Sequence, residues 1–325
     1  MNNMKKYRHP AAIFLLLLSL LAVSCISDDY PVREKATVKM TFTTRAISNP
    51  TANAGGLEAN EHMRTLRVIV ARSSNSEILY NLKYNIAENE TSKTITFSEM
   101  TVNADGEAFD FYAIANEEGV GYSGNWDNVS INDLQGMNLQ DGFLTDANDA
   151  SKNTMIPQTV HRQITVMPQA GGGIQSETMK LDFAVAKVRL TINNTSSGDQ
   201  YVNNINLSGV NMMSTPLFSA GTLSNVTDGT LSLGDMTVPA NSSTTVYAYF
   251  FENTGDDYTL SATWNGGQQT LDIKDVAGLT EISRGTELDI NITLNATTTP
   301  TFNIEVVPWT EVEVDVPPFE VPPFK

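Results

Sequence analysis

The sequence predicts an all-β protein made of β-sandwich domains in tandem, with few short helices. Many short runs alternate apolar and polar residues with a period of two, which is typical of half-buried strands. Clusters of Gly, Asn and Asp separate these runs and favour turns. Only 18% of the residues are charged, below the roughly 25% usual for soluble domains. The 325 residues are enough for two domains of ordinary size.

The chain begins with a predicted export signal. Lys5, Lys6 and Arg8 form a basic start, and an apolar run follows over residues 11–23. This run is shorter than the roughly 20 apolar residues of a transmembrane helix and is typical of a secretory signal. Residues 22–25 read AVSC and resemble a bacterial lipobox. We therefore predict that residues 1–24 are a lipoprotein signal peptide and that Cys25 carries a lipid, which anchors a chain without spanning the membrane. A plain signal peptide is the alternative.

The first strand is predicted over residues 36–42. Ala36, Val38, Met40 and Phe42 share one face of this segment, and polar residues occupy the other. The same period predicts strands at residues 66–70, 94–97, 109–115, 187–192, 245–251, 258–264 and 288–294. The pair Asn265-Gly266 predicts a tight hairpin turn, because both residues tolerate positive φ.

Helical signals are sparse. Ser130 is predicted to cap one short helix in which Ile131 and Leu134 share a face. The polar stretch 142–154 predicts a loop. Three glycines at residues 171–173 predict a linker, and we place the boundary between the two domains just after it, near residue 180.

Composition argues against several classes of function. The formal charge of −17 repels phosphate backbones and disfavours nucleic acid as a partner. A single cysteine excludes an intramolecular disulfide and a cysteine-based metal site. His62 and His161 lie far apart in sequence with no acid–base partner indicated, and Asp141, Asp146 and Asp149 do not have EF-hand spacing. We expect no enzyme activity, no metal and no cofactor.

The C-terminal stretch has an unusual pattern. Phe302, Ile304 and Val306 alternate with polar residues, and after a Pro-Trp pair the alternation resumes with Val312, Val314 and Val316 against acidic neighbours. A proline-rich tail follows and cannot extend a hydrogen-bonded ladder. Periodicity alone favours an ordinary last strand of the second sandwich.

A basic residue follows the first predicted strand. Arg45 precedes Ala46 and a polar segment with paired glycines that extends to residue 60. An arginine in such a segment is accessible to a trypsin-like protease, although most exposed arginines have no such role.

Several segments together resemble the fimbrillins, the type V pilins or major fimbrial subunits of Bacteroidia. These segments are FYAIAN at 111–116, LDFAVAKV at 181–188, ISRG at 282–285 and VPW at 307–309. Each motif is loose, and their order and spacing carry the resemblance.

The resemblance implies a fold and an assembly mechanism. It implies two transthyretin-like β-sandwich domains, an N-terminal one over residues 46–180 and a C-terminal one over residues 181–325. Residues 25–45 would then be a propeptide containing the first strand (Ala36, Val38, Met40, Phe42). An arginine-specific protease would cut between Arg45 and Ala46. The donor strand of the next subunit (Val312, Val314, Val316) would fill the groove that the first strand leaves.

We therefore expect a structural pilin subunit of adhesive surface fimbriae, exported to the cell surface as an outer-membrane lipoprotein precursor. The expected partners are identical or related pilin subunits in a head-to-tail polymer, the protease, and host or bacterial surface receptors. Two alternatives remain open. The chain could be an anchor or accessory subunit that keeps its lipid, or a monomeric surface lipoprotein that binds glycans through Trp126 or Trp264.

Overall fold

The chain is built almost entirely of β-strands. The computed structural model describes residues 33–44, 46–47, 57–88, 90–168, 173–218, 229–252, 258–273, 282–295, 300–308 and 311–312. The helices in these ranges are α1 (Ile131–Gly136), α2 (Asp141–Ala147) and two 3₁₀ turns (Glu117–Val120, Trp126–Asn128). None of the described helices has the length and apolar character that a membrane-spanning helix requires. The predicted all-β class with few short helices is confirmed.

The described part of the N-terminal half of the chain contains eight strands, of which the seventh lies between α1 and α2. They are β1 (Arg33–Thr44), β2 (Ala46–Ile47), β3 (Thr65–Arg72), β4 (Ile78–Asn85), β5 (Ser92–Asn103), β6 (Glu107–Ala115), β7 (Asn138–Gln140) and β8 (Gln158–Val166). The remaining strands are β9 (Gln175–Phe183), β10 (Ala186–Asn194), β11 (Gln200–Val210), β12 (Ser214–Pro216), β13 (Gly229–Val238), β14 (Ser242–Phe250), β15 (Thr259–Trp264), β16 (Gly267–Asp272), β17 (Thr286–Leu294), β18 (Thr301–Pro308) and β19 (Glu311–Val312).

The first sandwich is one seven-stranded sheet with the order β4-β3-β6-β8-β9-β1-β5. β9 pairs with β8 only at its end, where Asp182 and Phe183 face Thr159 and Gln158, and it pairs with β1 over the rest of its length. The sheet therefore bends at β9, and its two parts enclose a common core that draws buried side chains from β1, β3, β5, β6, β8 and β9.

The second sandwich consists of two four-stranded sheets, β14-β10-β17-β18 and β13-β11-β15-β16. Buried apolar residues from both sheets form its core. β10 and β17 run parallel, whereas β17 and β18 run antiparallel. The strand β9 of the first sandwich runs through residue 180 and ends at Phe183, three residues before β10 begins. The predicted boundary at 180/181 stays a prediction.

The two sandwiches meet at a third apolar cluster that involves both helices. β7 of the first half pairs with β12 of the second. The Asn148 side chain donates to the Tyr249 carbonyl at 2.9 Å and accepts from the Tyr249 backbone N–H at 2.7 Å. A continuous apolar cluster with paired backbone groups therefore joins the two halves of the chain at this junction.

Buried charges reinforce the junction. Lys187 Nζ lies 2.7 Å from Glu61 Oε1 and 3.4 Å from Glu287 Oε2, and all three side chains are buried. The Tyr249 hydroxyl donates to Glu61 Oε1 at 2.8 Å. Burial, followed by the adjacent Glu61 carboxylate, raises the pKa of Tyr249, so this hydroxyl remains a donor. The network fixes the segment at Glu58–Glu61 against β10 of the second sandwich.

Most local predictions are confirmed. All eight predicted strands are present, and Asn265 (φ 50°) and Gly266 (φ 74°) form the hairpin turn between β15 and β16. Ser130 caps α1 through a capping box with Asp133. The prediction of a loop over residues 142–154 was wrong at its start, because α2 covers Asp141–Ala147. Leu144 and Ala147 are buried in the junction cluster, and this tertiary packing outweighs the polar local sequence.

Candidate functional site

The first strand lies inside a sheet, between two partners that are distant in sequence. β1 pairs antiparallel with β5, from Arg33 opposite Asn103 to Thr43 opposite Ser92. On its other side it pairs parallel with β9, from Val38 opposite Gln175 to Thr44 opposite Leu181. Withdrawal of β1 would therefore expose two rows of unpaired backbone groups facing each other across one strand width.

The buried face of β1 is the one that the alternation predicts. Ala36 is 3% exposed, and Val38, Met40 and Phe42 are fully buried. They pack in the core with Phe97 of β5 and Met179 and Leu181 of β9, as well as residues of the opposite layer. Burial of each large apolar side chain contributes about 1.5–3 kcal/mol. The four side chains together therefore stabilise β1 by roughly 5–10 kcal/mol as an upper estimate.

The outer face around β1 is rich in hydroxyl groups. Thr41 Oγ1 lies 3.0 Å from Thr94 Oγ1 of β5, and Lys39 is opposite Thr96. The exposed side chains of β9 on this face are Ser176, Thr178 and Lys180. A strand with acidic side chains on its outer face would therefore meet hydroxyl groups and one lysine at these positions.

The substitution Phe42→Ala is expected to destabilise the uncleaved precursor by about 3–5 kcal/mol, because it leaves a cavity in a fully packed core. Urea unfolding of the unprocessed chain measures this change. The exposed substitution Lys39→Ala on the same strand is the control and should change stability by less than about 1 kcal/mol. Equal effects of the two variants would contradict the packing of β1.

The segment that follows the candidate scissile bond, between Arg45 and Ala46, pairs with the C-terminal part of the chain. Arg45 lies outside the described residues, whereas Ala46 and Ile47 form β2. β2 pairs parallel with β19, Ala46 opposite Glu311 and Ile47 opposite Val312. The structure therefore brings the start of the predicted donor segment to the position that follows the end of β1. Cys25, Val314 and Val316 also lie outside the described residues.

β18 precedes the predicted donor segment and is held by a single neighbour. Among the described strands it pairs only with β17. Its residue Glu305 is directly opposite Asp289, and like charges at such positions weaken strand pairing. Burial raises the pKa of Asp289, and the carboxylates of Glu287 and Glu305 add to this effect. This like-charge pair was missed from the sequence, because only the strand register shows it.

Three other residues singled out from the sequence, His161, Trp264 and Trp126, have local partners. His161 Nε2 lies 2.9 Å from Asp110 Oδ1, and its ring stacks on Tyr112 at 4.3 Å. Trp264 Nε1 donates to Gln200 at 2.9 Å, and Trp126 is half-buried against the junction cluster. Within the described ranges, no three acidic, histidine or cysteine side chains form a group that could hold a metal ion.

The sequence matches no protein-family model and no curated protein. Solved structures do match. The fimbrilin of Porphyromonas gingivalis is 11% identical with a TM-score of 0.55, over 86% of this chain and 99% of that chain. The tip fimbrial protein Mfa3 of P. gingivalis, with a C-terminal truncation, is 15% identical with a TM-score of 0.53, over 84% and 100%.

A proposed cell-adhesion protein of Parabacteroides distasonis is 14% identical with a TM-score of 0.55, over 86% of this chain and 99% of that chain. The matches span nearly the whole length of these three proteins. Their TM-scores show a common fold, and at these low identities the likeness shows the fold alone. The structural neighbours of this chain are thus fimbrial proteins of Bacteroidia, and the resemblance inferred from the sequence is confirmed at the level of the fold.

Proposed function

We propose that this chain is a structural subunit of surface fimbriae, exported as a lipoprotein through Cys25, cut after Arg45 and polymerised by strand exchange. The observation that carries the proposal is the placement of β1, which fills a groove between β5 and β9 and ends immediately before Arg45. The fimbrial nature of the structural neighbours supports the same role. The two domains would cover residues 46–180 and 181–325.

In this proposal, cleavage lets β1 leave and an amphipathic strand from another copy replaces it. Val312, Val314 and Val316 have the alternation that the apolar groove requires. The acidic residues between them would lie on the outer face, over the hydroxyl groups of β5 and β9. The new strand restores the backbone pairing and the apolar burial, which is β-augmentation. Because the groove and the donor strand are different parts of the same chain, each subunit can accept one strand and donate another, and the head-to-tail contact propagates into a filament.

Strand directions favour release of β18 together with the donor segment. Pro308, at the end of β18, is opposite Thr286. The residue before Thr286, Gly285, donates its N–H to the Val185 carbonyl at the junction, so this end of β18 lies near the junction. Thr301 is opposite Thr293 and therefore lies at the far end of the second sandwich. Detached from Thr301 onward, residues 301–316 span about 50 Å when extended. In this proposal the tail enters the groove of a neighbouring subunit and takes the place of β1.

A disulfide between β17 and β18 tests this release. The double substitution Asn291→Cys and Asn303→Cys joins two directly opposite residues on the outer face of the sheet. We expect the oxidised subunits to fold and be cleaved but to remain monomeric, and to polymerise after reduction. Each single-cysteine variant is the control and should polymerise under both conditions. Normal filaments from the oxidised double variant would show that β18 stays in place during assembly.

N-terminal sequencing of fibres sheared from cells tests the proposed function. A structural subunit that has lost β1 has Ala46 as its first residue. An anchor that keeps its lipid begins at Cys25, and a monomeric surface lipoprotein is not found in the sheared fibres. Fibres that contain this chain with β1 still attached would contradict the proposal.

A further inference from the structure

A polar cleft lies beside the junction, away from the strand-exchange groove. It has a volume of about 620 Å³, and its wall is formed by the loop after β6 together with residues of β7 and α2. Tyr122 and Phe143 supply aromatic surface, and both are half-buried. The Tyr122 ring lies 4.9 Å from that of Trp126. No lining residue belongs to β1, β5 or β9, so strand exchange leaves this cleft unchanged.

The rim of the cleft offers exposed hydrogen-bonding groups. Asn138, Gln140 and Asp146 line it and are exposed. Among the described residues, none donates to or accepts from the side chains of Gln140 and Asp146. A carboxylate and a carboxamide are planar groups that bind adjacent hydroxyls, while an aromatic ring packs against an apolar ligand face. A pyranose ring presents both of these features.

The charge of the lining narrows the class of ligand. Glu118 and Asp146 line the cleft, and no lysine or arginine does. Lys83 Nζ lies 2.7 Å from Glu118 Oε1 and offsets the charge of that carboxylate. A sulfated, phosphorylated or sialylated sugar would still bring a negative charge next to the Asp146 carboxylate. The volume lies within the range of small-ligand pockets and exceeds that of one sugar ring. We infer that the cleft binds an uncharged oligosaccharide, through the Tyr122 and Phe143 surfaces, hydrogen bonds with Gln140, and sugar hydroxyls that donate to the Asp146 carboxylate.

A second cleft extends this site along the junction. Its volume is about 410 Å³, it shares Thr154 with the first cleft, and it carries the exposed Tyr247. A longer saccharide can therefore contact both clefts. In a filament every subunit would present the same site, and multivalent attachment would strengthen weak single-site binding. Saccharide binding itself does not depend on assembly, so it can be measured on the monomer.

Isothermal titration of the full chain with uncharged sugars tests the inference. The probes are lactose, N-acetyllactosamine, chitobiose and maltose, with sialyllactose and heparin as anionic comparisons. Tryptophan fluorescence, compared between the wild-type chain and Trp126→Phe, serves as a second readout. We expect at least one uncharged sugar to bind at millimolar concentration. Asp146→Ala should weaken that binding about tenfold by removing one charge-assisted hydrogen bond. Asp105→Ala, an exposed acid in the turn between β5 and β6, is the charge-matched control.

Three results would overturn the inference. These are absence of binding by all four uncharged sugars, stronger binding of the anionic probes, or an equal loss with Asp105→Ala. None of them bears on polymerisation, which the sequencing of sheared fibres tests separately.

Discussion

Replacing Arg45 with alanine is expected to leave the protein as unpolymerised, lipid-bound precursor. The change removes the side chain that an arginine-specific protease recognises, and it leaves the packing of β1 intact. β1 then stays in the groove, held by two ladders and by the buried Val38, Met40 and Phe42. Release of β1 would lose this burial and both ladders together, so we expect no spontaneous exchange. Electron microscopy of cells and fractionation of their membranes measure the outcome.

Two further variants make this prediction specific. Arg45→Lys keeps the charge and should still block an arginine-specific enzyme. Arg33→Ala removes an arginine at the other end of β1, where the side chain is about half exposed, and should be processed normally. Fibres of normal length from Arg45→Ala would show that this bond is not the processing site.

Truncation before Thr310 is expected to permit folding and cleavage but to abolish filament growth. The described core of the second sandwich ends at Ile304, so removal of residues 310–325 leaves it intact. The shortened subunit keeps its groove and lacks a donor strand. It should therefore accept the tail of a wild-type subunit and stop growth there, so that mixtures form shorter filaments as its proportion rises. Size-exclusion chromatography and electron microscopy measure both effects.

A second truncation serves as the matched control. Removal of residues 317–325 deletes the proline-rich tail and keeps Val312, Val314 and Val316. This variant should polymerise, because prolines do not contribute to the ladder. Long filaments from the first truncation, or failure of both, would contradict the assignment of the donor segment.

The sequence predicts which residues of β1 are buried, but it does not predict which strands pair with β1. The period of two identifies the buried face of β1, and Ala36, Val38, Met40 and Phe42 are all in the core. The neighbours of β1 are β5 and β9, which are far away in the chain, and no local pattern specifies such long-range pairs. The unfavourable Asp289–Glu305 contact depends on register in the same way.

Tertiary packing also explains the remaining differences. α2 contains two aspartates and a glycine in a polar stretch, and its burial against the junction cluster is visible only in the folded chain. The triple-glycine region was predicted to be a linker that precedes the domain boundary near residue 180, and that boundary stays a prediction. The strands that flank it, β8 and β9, both belong to the first sandwich, since β9 provides the parallel partner of β1.

Disulfide trapping in assembled fibres tests most directly whether a neighbour's tail occupies the place of β1. Cys25 is the only cysteine and would be absent after processing, so introduced cysteines report without background. Thr96→Cys lies opposite Lys39 of β1, and Glu311→Cys, Glu313→Cys or Asp315→Cys would face it in the possible registers. Fibres are grown from a mixture of two kinds of subunit, one with Thr96→Cys and the other with one of the tail cysteines. We expect these fibres to contain disulfide-linked dimers that separate on reduction. Absence of dimers with all three tail positions would contradict strand exchange in this groove.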